Sequence, residues 1–151
     1  MKNTFFLAAL LLLGSCATDT PSAAPPDTPP QPQTARILAV EVTNSGGMLG
    51  HYSHFRYTPD SVLFVRLVSA APENDDSFRR ANTPEAWQAL TADLNLDSFR
   101  AAAGGQSVQP VDGIDTEIAV FTNKDTIVKT NAYENPQWNQ ILNHTHVLAD
   151  K

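Results

Sequence analysis

The chain has one cysteine in 151 residues, Cys16, so no intrachain disulfide can form and no second thiol can complete a zinc set. Cations are scarce: 10 Lys and Arg face 16 Asp and Glu, a net charge of −6. Lys and Arg are nowhere gathered into a basic run or helix, which argues against nucleic acid as a partner and against electrostatic docking to anionic lipid. Long apolar runs are missing too. The longest, Phe5 to Leu13, spans roughly 13 Å as a helix against a hydrocarbon core of ~30 Å, so it reads as the apolar part of an export signal and not as a membrane span. Gly-x-Ser-x-Gly and His-x-x-x-His are absent, which removes the two commonest local signatures of hydrolytic chemistry.

What is present begins at the N-terminus. Lys2 precedes the apolar run, which ends in Leu13-Gly14-Ser15-Cys16. An apolar residue, two small ones and Cys resemble the lipobox of bacterial lipoproteins. That resemblance implies a signal peptide over 1–15, cleavage before Cys16, a diacylglycerol on its thiol, and attachment to the cell envelope by more than one acyl chain, as stable anchoring requires. Ala17 in place of Asp implies the outer membrane, with the facing leaflet left open. Residues 16–33 form a tether. Six of the 11 prolines lie between Thr18 and Gln33, with no aromatic or large aliphatic side chain. Proline removes the donor that helix and sheet need, so a polyproline-II spacer of up to ~50 Å is expected at about 3.1 Å per residue. Small lipoproteins of Bacteroidota have a similar layout.

Residues 34–151 suffice for one small domain with one core. Their 14 Asp and Glu against 9 Lys and Arg leave a net charge of −5. Arg36 to Val42 alternates, with Leu38, Val40 and Val42 on one face, and predicts a strand. A glycine-rich turn at Ser45–Gly50 leads to a second strand over His51 to Tyr57. After the turn Thr58-Pro59-Asp60-Ser61, residues Val62 to Val68 are apolar on both faces except at Arg66, as in a central strand. Ala71 to Asn82 reads as an exposed loop. Thr83-Pro84-Glu85 opens a helix striped by Trp87, Leu90 and Leu94. A shorter helix capped by Asp97 runs through Phe99 to Gly104-Gly105. Thr116 to Thr122 and Thr126 to Ala132 make a hairpin. Asn135-Pro136 starts a last helix with Trp138, Ile141, Leu142 and Leu148 inward. The order β-β-β-α-β-β-α predicts an α+β domain with helices on one face of an antiparallel sheet.

Candidate chemistry is sparse. His51 and His54, three apart on a strand, fall on opposite faces, and His144 and His146 lie near a helix end. Asp112-Gly113-Ile114-Asp115 has two carboxylates but not the alternating twelve-residue spacing of a calcium loop; a turn into the hairpin accounts for it. Ser45-Gly46-Gly47-Met48-Leu49-Gly50 lacks the Lys-Ser/Thr and helix start of a phosphate loop. It reads as a wide turn needing φ > 0, or as a recognition loop with an apolar tip. No metal, cofactor or catalytic group is therefore expected.

A strand, Ser-Gly-Gly, two apolar residues, Gly and a second strand resemble the start of emfourin-like inhibitors of thermolysin-type metalloproteases. The likeness extends through a helix with Leu90 and Leu94, Phe99, an Asp-containing loop, a hairpin and a final helix opening at a proline. Met48 and Leu49 stand where that family more often has Phe and Ala. The resemblance implies a non-catalytic domain that binds a protease cleft through Ser45, Gly46, Gly47, Met48, Leu49 and Gly50, with Asp112, Gly113 and Asp115 as a second contact. The alternative is an envelope module that binds a partner protein or glycan without inhibition. An enzyme would need a deep pocket gathering His51 or His54 with carboxylates.

Replacing Cys16 by Ala abolishes incorporation of labelled palmitate and releases the protein from the membrane fraction; a lipid-labelled, membrane-bound Cys16→Ala product would rule the anchor out.

Overall fold

The computed structural model describes residues 34–149, with side-chain environments through Thr145. The expected signal peptide over 1–15, Cys16, the expected tether over 16–33 and the side chains of His146 and Leu148 lie outside the described residues. Six strands form one sheet: β1 (Ile37–Gly46), β2 (His51–Tyr57), β3 (Ser61–Val68), β4 (Asp76–Ala81), β5 (Ile114–Thr122) and β6 (Thr126–Thr130), in the spatial order β4-β3-β2-β1-β5-β6. Every neighbouring pair is antiparallel. Three helices accompany it: α1 (Pro84–Thr91), α2 (Leu96–Ala101) and α3 (Pro136–Ala149).

The class is α+β, but the expected element order is corrected at two places. Residues 76–81 form strand β4 instead of belonging to a loop. Their pattern, Asp-Ser-Phe-Arg-Arg-Ala, hides a strand because an edge strand needs only one apolar anchor and is protected by charge. Phe78 is that anchor, its ring 5.3 Å from Phe64, its partner in register. The short helix α2 is a full element, and Asn95, not Asp97, caps it: the Asn95 side chain accepts from the Ser98 amide at 2.9 Å. Thr83 caps α1 by accepting from Ala86, and Asn135 caps α3 by accepting from Gln137 and Trp138. Each cap satisfies donors that the first helical turn leaves open.

Period-two alternation decides which sheet face is buried. Val40 and Val42 (β1), Phe55 and Tyr57 (β2), Val62 and Phe64 (β3), Ile118 and Val120 (β5) and Ile127 (β6) share one face and pack with Leu90, Leu94, Phe99, Trp138 and Ile141 from the helical segments. All of this core, and every strand pair, belongs to one compact unit from residue 34 onward, which can therefore fold on its own. Two strand expectations are revised. A register shift between Ile37 and Ala39 turns Leu38 outward, while Ile37 packs on the core. β3 is interior to the sheet but second from its edge, and Leu63, Val65 and Leu67 lie on the face away from that core.

Trp138 is the largest fully buried side chain. Its truncation to Ala leaves a cavity between α3 and the sheet and lowers unfolding free energy by about 3–5 kcal/mol, the usual loss for a buried aromatic, as chemical denaturation of residues 34–151 will measure.

Candidate recognition tip

Antiparallel order places the β1–β2 turn and the loop before β5 at the same end of the sheet. Gly46, Gly47 and Gly50 have φ of 120°, 74° and 63°; the first is open almost only to glycine, and the other two lie in the left-handed region that favours it. At Gly46 space forbids a side chain as well, because a β-carbon would sit 2.5 Å from the Gly113 carbonyl oxygen. That close approach lets the Gly47 amide donate to the same oxygen at 2.9 Å. The Gln109 side-chain amide donates to the Ser45 carbonyl and hydroxyl, each at 3.1 Å. On the other flank, Ala70 and Ser69 amides donate to the carbonyls of Leu49 and Gly50. The turn is thus clamped from both sides.

The second loop is held by Asp115. One of its carboxylate oxygens accepts from the Val108 amide at 2.7 Å and from the Asn131 side chain at 2.8 Å. Hydrogen bonds from Ser107, Val108 and Asn131 hold the Asp115 carboxyl below the usual carboxylate range. Asp112 takes the left-handed conformation, φ 60°, and closes a short turn over Gln109–Val111. The two clamped loops leave three apolar side chains outside: Met48 at 79% exposure, Leu49 at 59% and Val111 at 80%. Val108 and Ile114 are exposed beside them.

Every residue expected in the binding site is therefore brought to one end of the domain, Cys16 lying outside the described residues, but their roles divide. Gly46, Gly47, Gly50 and Gly113 supply backbone shape, Ser45 and Asp115 hold the loops, Asp112 makes the bend, and Met48 and Leu49 offer contact surface. Val111 supplies the third apolar group; its loop was expected at the site, its side chain was not. Gln109 and Asn131 were missed as clamps. Asn131 is buried with φ 48°, and its side-chain carbonyl accepts from the Thr116 amide at 2.8 Å. An Asn directly after a strand, where a left-handed residue is tolerated, was the available signal.

Neither a known protein family nor a curated protein matches the chain.

The remaining polar groups do not assemble at the tip. Register puts His51 opposite Gly46 and His54 opposite Thr43, on the two faces of β2. The His54 ring lies 3.1 Å from the Thr43 hydroxyl, and burial pushes its pKa down. His144 packs edge-on to Tyr57, its pKa also lowered by burial. Neither His51 nor His54 lines the concavity around the β2–β3 turn or the one beside Tyr133 and Thr145, and no group of three or more His, Cys, Asp or Glu with metal-site spacing occurs among the described residues. The chemistry offered at the tip is apolar contact on a stiff support.

Because its folded pKa lies below the ordinary 3.8, Asp115 contributes its full stabilisation above that pH and loses it as pH falls through the depressed value. The Val108 amide should keep its hydrogen-exchange protection, corrected for intrinsic rates, from neutrality down to pH 4 and lose it below pH 3.8; in Asp115→Asn protection at neutral pH is already reduced.

Proposed function

We propose that the chain is a lipoprotein of the outer membrane, anchored through Cys16, whose domain is a non-catalytic binding module that seats its tip in an apolar recess of a partner protein. The observation that carries this is the exposure of Met48 and Leu49 on a clamped turn. Two large apolar side chains in water forgo about 2 kcal/mol each of burial energy, and the clamps remove the ordering cost that a loose loop would meet on binding. The tip's apex carries Met, Leu and Val and no aromatic ring, which favours a protein recess over a sugar face.

Within this reading, the partner class that fits the Ser45–Gly50 resemblance is a thermolysin-type metalloprotease, inhibited by occupation of its cleft. A turn held by Gly113, Gln109, Ser69 and Ala70 resists the bending that a scissile peptide must undergo, so the segment is retained without being cut.

Residues 34–151 are expected to inhibit a thermolysin-type protease at micromolar concentration, and Met48→Asp with Leu49→Asp to weaken inhibition by at least ~30-fold, the size of a hot-spot loss of ~2 kcal/mol. Absence of both inhibition and binding by the unaltered domain rejects the inhibitor. If in-cell crosslinking from the tip then yields a non-protease envelope protein, with the yield abolished by the same pair, the binding module stands without inhibition.

A further inference from the structure

The sheet ends in two edge strands, β4 and β6, and they differ. On β6 the Gly105 amide already donates to the Thr130 carbonyl at 2.9 Å, so that edge is covered at one end. β4 has no such cover among the described residues. Asp76, Ser77, Arg79 and Ala81 are exposed, and Phe78 and Arg80 are only half-buried.

Hydrogen bonds at the turns fix which β4 groups face outward. The Thr58 amide donates to the Ser61 carbonyl, so the odd-numbered residues of β3 bond β2. The Asn82 amide donates to the Asp60 carbonyl, so the even-numbered residues of β3 bond Asp76, Phe78 and Arg80. The N–H and C=O groups of Ser77, Arg79 and Ala81 therefore point away from the sheet, a row open to another strand. Side chains alternate between the faces. Asp76, Phe78 and Arg80 lie on the helix-covered face, where Phe78 meets Phe64, and Ser77 and Arg79 lie on the other.

Charge selects the strand that fits. Antiparallel pairing of β4 with its own copy, about a two-fold axis at Phe78, sets Ser77 of each copy against Arg79 of the other. That makes four backbone hydrogen bonds from groups that otherwise face water. The same register sets Asp76 of each copy opposite Arg80 of the other and brings the two Phe78 rings side by side. These are non-hydrogen-bonded pairs, whose Cα atoms approach to ~4.5 Å and whose side chains interact directly. Moving the axis by one residue loses this match. Centred on Arg79, it opposes two arginines; centred on Ser77, it sets each Phe78 against an Asp76 carboxylate. Both charged groups are available. Asp76 has Arg66 3.9 Å away with both side chains open to water, and Arg80 rests on the Phe78 ring at 5.1 Å and joins no ion pair among the described residues.

We propose that the domain pairs with a second copy of itself along β4 in this register, joining two six-stranded sheets into one. The charge that turns other strands away from this edge specifies its own copy as the partner. The interface is smaller than the ~1,200 Å² of a standard one, so the dimer belongs to the weak, reversible class, with a dissociation constant of roughly 0.1–1 mM. Antiparallel pairing sends the two β1–β2 turns to opposite ends of the joined sheet. The pairing rests neither on the anchor nor on the tip.

The test follows residues 34–151 from tens of micromolar to low millimolar concentration by sedimentation equilibrium and NMR. The expected result is a dimer at the upper end. Exchange of the Ser77 and Arg79 amides slows as concentration rises, while the Phe78 and Arg80 amides, already bonded to β3, do not change. Asp76→Arg and Arg80→Asp each set like charges opposite one another and weaken self-association about tenfold or more, with circular dichroism unchanged. Mixed one to one, the two variants are complementary at both pairs and associate with about the affinity of the unaltered domain. The proposal is overturned by a domain that stays monomeric, by concentration-dependent shifts centred on β6 or on Leu63, Val65 and Leu67 instead of β4, by single variants that self-associate undiminished, or by a mixture that does not associate.

Discussion

The ladder between β1 and β5 is the interaction on which the rest depends. It joins segments some seventy residues apart, so the entropy of closing a long loop is met before either strand gains its partner's contacts. Once formed, it makes β1 a central strand, aligns Val40 with Val120 and Val42 with Ile118 as the floor of the core, and places Ser45 against Asp115 and Gly46 against Ile114. The Gly47–Gly113 hydrogen bond extends the same ladder by one step beyond the strand ends. The two loops at the tip are thus a continuation of the sheet.

Beneath the tip the sheet changes from apolar to polar on its helix-covered face. Asn44 donates to Ser53 at 3.0 Å and accepts from Thr116 at 2.7 Å, and the Tyr133 hydroxyl donates to Thr116 at 3.2 Å. Such a row is compatible with burial because its members are paired. Deeper in the core, the Tyr57 hydroxyl, the Trp138 indole N–H and the His144 Nε2 are buried without a protein partner among the described residues. Burial accordingly pushes the Tyr57 hydroxyl pKa well above its ordinary value. The polar groups nearest the tip are the satisfied ones, which concentrates rigidity where the loops need support.

Much of this was legible in the sequence, and the exceptions share a cause. Alternation in β1, β2 and β5, the Thr83-Pro84 start of α1 and the Asn135-Pro136 start of α3 are local signals, and the elements follow them. β4 has one apolar anchor and six residues, too little for alternation to register. Leu38 left its expected face because a bulge is decided by the partner strand. At the tip, the glycines announced a turn, but the partners that require them, Gly113 and Gln109, lie more than sixty residues away. Residues 1–33, including Cys16, are outside the described residues, and the reading of their role still rests on sequence.

The direction of β1 has a mechanical meaning. Its ten residues run from the end where residue 34 joins the domain to the tip, about 33 Å at the usual rise. A partner gripping Met48 and Val111 while the N-terminal segment is held would pull along the strand axis. Met48 then transmits load through the covalent chain of β1 itself, and Val111 through the β1–β5 ladder loaded in shear, with its hydrogen bonds strained together and not broken one after another. Bonded on both sides by β2 and β5, the strand that carries the turn is also the one best placed to bear tension along that axis.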